Sequence, residues 1–62
     1  MNNEEIDVYW AENAFGEKFV TLKNYTNNEV LLINVFKSEA RATKECKKIK
    51  NILKFLGFTE KV

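Results

Sequence analysis

The sequence predicts an α+β domain of two layers, a three-stranded antiparallel meander followed by one long amphipathic helix. Two observations carry this. Apolar residues recur at every second position in the first two strand-length runs and at every third or fourth position after Ser38, so the period changes from that of a strand to that of a helix. Two breaks built of asparagine, glycine and threonine divide the first 36 residues into three runs of strand length.

Ile6, Val8 and Trp10 alternate with Asp7, Tyr9 and Ala11, the pattern of a half-buried strand. Asn13-Ala14-Phe15-Gly16-Glu17 interrupts it, and Gly16 supplies the positive φ that a hairpin connection often requires. Lys18 to Tyr25 predicts a second strand, with Val20 and Leu22 on one face and Phe19, Thr21, Lys23 and Tyr25 on the other. Thr26-Asn27-Asn28-Glu29 is the next turn, because asparagine tolerates left-handed geometry. The third strand, Val30 to Phe36, is apolar on both faces. Leu31, Ile33 and Val35 fall on one and Val30, Leu32 and Phe36 on the other, the composition of a strand covered on both sides.

Ser38 is a good N-cap, and Glu39 stands favourably at the positive end of the helix dipole. Ala42, Cys46, Ile49, Leu53 and Leu56, widened by Ile52, form the stripe of a helix about 27 Å long that lies on the sheet. Gly57 is placed for a left-handed C-cap, with Phe58 set to touch Leu53 as in a Schellman ending. Residues 58 to 62 read either as a frayed tail or as a short edge strand.

At 62 residues the chain makes one domain, 1 to 62 with the first five residues flexible, and buries only about 60% of its unfolded surface. A single cysteine rules out an internal disulfide, so nothing demands an oxidising compartment. The polar, acidic start and the short longest apolar run, Val30 to Ile33, predict a soluble cytoplasmic protein that does not cross a membrane. Eight asparagines and nine lysines with neither proline nor histidine suit an AT-rich coding sequence, as in a low-GC bacterium, a phage or a mobile element.

Without histidine the usual proton-transfer group near neutrality is missing. Cys46 lies on the apolar stripe and reads as a small buried residue rather than a nucleophile. Glu4, Glu5, Asp7 and Glu12 have no spacing that forces two carboxylates into one pocket. Gly16 and Gly57 are the only glycines, so there is no phosphate loop, and no cluster has metal-ligand spacing. The expectation is a non-enzymatic protein with no catalytic residue, metal, cofactor or small-molecule substrate.

Binding is the remaining possibility, and charge suggests where. Residues 1 to 36 carry six acids and two lysines, residues 37 to 62 eight basic residues and three acids, leaving a net charge of +1 and hence a sided surface. On the helix, Arg41, Lys44, Lys47, Lys48, Lys50 and Lys54 spread over the side away from Cys46, with Phe55 among them, either as ordinary solvated lysines with Phe55 folded back over the helix end or as a docking face. On the sheet, one helix covers one side of three strands. If Val20, Leu22, Leu31, Ile33 and Val35 face it, then Phe19, Tyr25, Val30, Leu32 and Phe36 lie open, to be hidden by a second copy or by Trp10 and the two chain ends. The order strand-strand-strand-helix, with FKSEARATKECKKI entering the helix, resembles the small arm-type DNA-binding domains of tyrosine integrases over roughly residues 17 to 53. That resemblance implies DNA reading by the sheet, whose only cations here are Lys18 and Lys23, and no functional residue is carried across from it. The expected function is a protein-interaction module, an adaptor or inhibitor that forms a homodimer or docks on another protein. The alternative is nucleic-acid binding through the lysine-rich helix.

Overall fold

The computed structural model describes residues 4 to 60, with β1 at Glu5–Glu12, β2 at Lys18–Asn24, β3 at Glu29–Phe36, α1 at Glu39–Phe55 and β4 at Thr59–Glu60. This is the α+β, βββα arrangement expected, with a short fourth strand added. The strands form one sheet in the order β3-β2-β1-β4, antiparallel except for β4, which runs parallel to β1. Of the termini expected to be loose, Glu5 opens β1 and residues 59 and 60 form β4, while residues 1 to 3, 61 and 62 lie outside the described residues.

The core lies between α1 and the middle of the sheet. Val8 of β1 and Val20 of β2 are fully buried against Ala42 and Cys46, and Trp10, Leu22, Phe36, Ile49 and Leu53 pack around them. Ala42 and Cys46 are small, so the helix axis can approach β1 and β2 closely at this point. The predicted stripe is thus the buried seam through Leu53, whereas Ile52 and Leu56 remain exposed on its flank.

The connections follow the sequence chemistry. In the β1–β2 turn the Asn13 side-chain oxygen accepts from the amides of Phe15 (2.9 Å) and Glu17 (3.0 Å), and Gly16 takes φ +77°. In the β2–β3 turn Asn27 accepts from the Glu29 amide at 3.0 Å and Asn28 sits at φ +62°. Ser38 caps α1 by accepting from the Arg41 amide at 3.3 Å. The helix ends in a Schellman motif: the Phe58 amide donates to the Leu53 carbonyl at 3.0 Å and the Gly57 amide to that of Lys54 at 3.1 Å, with Gly57 at φ +94°.

Three expectations are corrected. β3 is not covered on both sides; it is open on both, with only Phe36 half-buried. The reason is position: a meander puts its second strand in the middle, and a helix packed over Val8 and Val20 leaves most of the outer strand uncovered, with Phe36 the β3 residue that packs on the core. The register of β3 also changes partway along. Leu31 pairs with Leu22 and Leu32 with Thr21, but Asn34 pairs with Val20, so Ile33 is an extra residue in a β-bulge. Beyond the bulge the faces exchange. Val35, opposite Phe19, joins the open face, and Phe36, opposite Lys18, turns to the helix side and packs on the core. Trp10 likewise belongs to the helix side, where its indole N–H donates to the Thr43 hydroxyl at 3.1 Å, so it does not fold across the open face.

Candidate interaction surfaces

The open face of the sheet gathers Tyr9, Phe19, Tyr25, Val30, Leu32 and Val35, set around a buried Thr21. Four of the five residues expected there, Phe19, Tyr25, Val30 and Leu32, are on it; Phe36 is not. Val30 is 59% exposed and Leu32 55% exposed. On the opposite face of the same strand Leu31 is 61% exposed. The apolar surface therefore wraps around β3 rather than stopping at one face. A continuous apolar run implies burial, so the sequence alone does not mark Leu31, Ile33 and Val35 as open. Connectivity carried the missing signal, since the third strand of a meander is its edge.

The two cations of the sheet are engaged. Lys18 donates to the carbonyls of Gly16 (3.0 Å) and Lys37 (3.2 Å) and lies 3.7 Å from the Glu12 carboxylate. Lys23 sits 4.7 Å over the Tyr25 ring. Neither is free to reach a phosphate backbone without giving up these partners.

On α1, Arg41, Lys44, Lys47, Lys48, Lys54 and Phe55 are all exposed. Phe55 is 89% exposed, so it is displayed among the lysines and does not fold back over the helix end. Helical spacing divides the cations into flanks. Arg41 and Lys48 line a shallow depression with Phe36 on the β3 side. Lys47, Lys50 and Lys54 fall on the β1 side, where Lys50 lies 3.9 Å from Asp7 and 3.6 Å from Glu60.

Cys46 is buried in the core, and burial raises its thiol pKa, the charge of Lys50 opposing the shift and those of Asp7 and Glu45 adding to it. A thiol held protonated in this way is a packing group. Among the described residues no cluster of Cys, Asp and Glu could hold a metal ion, and no helix is long and apolar enough to cross a membrane. Comparison with models of protein families, with curated proteins and with solved structures finds no match to this chain.

Proposed function

We propose that this chain is a non-catalytic interaction module, of the adaptor or inhibitor kind, that associates with a second copy of itself through β3. The observation that carries the reading is the exposure of Val30, Leu31, Leu32, Ile33 and Val35 on a strand apolar on both faces. Their open side chains amount to on the order of 400 Å², the size at which patches on single chains are commonly contact sites. Two copies that meet through the open face, with Tyr9, Phe19 and Tyr25 beside Val30, Leu32 and Val35, bury on the order of 1,000 Å², the lower limit of a specific interface. Such an interface is apolar and persists at high salt. Light scattering at low and high salt tests this: a dimer whose mass is indifferent to salt supports the reading, and a single-chain mass at every concentration sinks it.

A second reading, nucleic-acid binding by α1, rests on Phe55 standing exposed among Lys44, Lys48 and Lys54. It requires a mass that rises on adding random-sequence duplex DNA at low salt only, and loss of that gain when Lys44 or Lys48 becomes glutamate.

A further inference from the structure

We propose that two copies join β3 to β3 as neighbouring antiparallel strands, Leu31 facing Leu31 across a twofold axis, so that their sheets run on as one. This pairing rests on the reading of β3 as the contact strand and adds which of its groups meet.

β3 is the outer strand at one margin of the sheet, and Val30, Leu31 and Leu32 are each more than half exposed, so this stretch stands open to solvent. Its pairing with β2 decides which main-chain groups look outward. In an antiparallel ladder, residues that exchange bonds with the neighbour on one side alternate with residues that turn to the other side. The Tyr25 amide donates to the Glu5 carbonyl at 2.8 Å, so odd-numbered residues of β2 bond to β1 and the even-numbered Asn24, Leu22 and Val20 bond to β3. Their partners are Glu29, Leu31 and Asn34, which leaves Val30, Leu32 and Val35 turned outward. The Val35 amide is already taken, since it donates to the Asn34 side-chain oxygen at 2.8 Å. Among the described residues, no second strand and no side chain takes up the outward amides of Val30 and Leu32.

Those two residues fix the register. With Leu31 on the twofold axis, Val30 of each copy lies opposite Leu32 of the other, and each pair exchanges both of its bonds. Centring on Val30 instead would bring Leu32 against Asn28, a turn residue at φ +62°. Centring on Leu32 would bring Val30 against Asn34, whose main chain is turned to β2. The hairpin turn and the bulge at Ile33 thus bound a short stretch that complements itself in one register.

The side chains agree with it. Val30 and Leu32 meet on the open face, and Leu31 meets its own copy on the helix side, in the kind of pair where opposed side chains lie closest. Glu29 comes opposite Ile33 and so meets no like charge. Copies laid face over face would cover Val30 and Leu32 and leave Leu31 in water. A strand added beside β3 covers all three, as an edge apolar on both faces requires.

Hydrogen exchange, followed residue by residue by NMR on the full chain, tests the pairing between dilute protein and the concentration at which light scattering shows the dimer. The Val30 and Leu32 amides should exchange about tenfold or more slowly in the dimer. A second readout is cross-linking by oxidised glutathione. Leu31→Cys should form a disulfide-linked dimer about tenfold or more faster than Lys47→Cys, which is exposed on the β1 side of α1, while Cys46 is buried in both. If the protein dimerises but the Val30 and Leu32 amides exchange as before, or Leu31→Cys links no faster than Lys47→Cys, strand pairing is overturned and association through the open face stands. A single-chain mass at every concentration overturns both.

Discussion

Replacing Leu32 by glutamate distinguishes a strand that is open in the single chain from one that is part of its core. Leu32 is 55% exposed. Full burial of a leucine side chain is worth about 1.5–3 kcal/mol, so the part still open accounts for about 0.8–1.7 kcal/mol when a partner covers it. A twofold interface contains the residue twice. Loss of its apolar surface then weakens association by about 1.6–3.4 kcal/mol, roughly 15- to 300-fold in Kd, and burial of a carboxylate adds to this. Folding of the single chain changes by no more than about 1 kcal/mol, the span of strand preference at an open position. Val20→Ala is the contrast: Val20 is fully buried, and the cavity it leaves costs folding about 2 kcal/mol. Sedimentation velocity over a concentration series reads association, and thermal melts of dilute protein read folding. The reasoning fails if Leu32→Glu associates as tightly as the parent, or if it melts as early as Val20→Ala.

Other substitutions probe the helix and its ends. Gly57→Ala should destabilise by about 1–2 kcal/mol through the backbone alone, since φ is +94° and an added Cβ meets nothing within 4 Å; a thermal melt equal to that of the parent would refute this. Ser38→Ala should cost about 1 kcal/mol by leaving the Arg41 amide without its cap, read in urea unfolding and restored by Ser38→Asp. Because the Cys46 thiol pKa is raised above its ordinary 9.0, the unfolded chain gives up this proton at lower pH than the folded one. Its stabilising contribution is therefore complete below pH 9.0 and declines as the pH climbs from there towards the folded value. The parent should lose more stability than Cys46→Ala as the pH is raised above 9.0, with no difference between the two losses below it, and parallel losses above pH 9.0 would count against burial as the cause.

Where local chemistry decides the structure, the sequence was readable. Asn13 and Gly16 announced the first turn, Ser38 the start of α1, and Gly57 with Phe58 its Schellman end, because each acts through bonds within a few residues. Ala42, Cys46, Ile49 and Leu53 could be assigned to the core from spacing alone. What could not be read depends on the sheet as a whole. The bulge at Ile33 arises from how β3 aligns with β2, and no residue in β3 signals it, so Phe36 and Val35 exchanged faces. The exposure of Leu31 depends on where α1 lies across the sheet. The pairing of β4 was invisible for a related reason: only the fold brings Thr59 and Glu60 beside Glu5 and Ile6.

The strand order gives the sheet two unlike margins, an apolar one at β3 and one at β1 that β4 pairs with at Glu5 and Ile6. Two copies that meet β3 to β3 form a closed pair. If instead β3 of one copy met β1 of the next, the contact would be head-to-tail, and each added copy would present the same free margin again. β4 then serves as a stopper, small as it is, because it occupies the lower end of β1 and interrupts the row of bonding groups such a neighbour would need. Removing residues 59 and 60 would add Glu4 and Ile6 to that row. The same globular unit would then become a link suited to growing fibres.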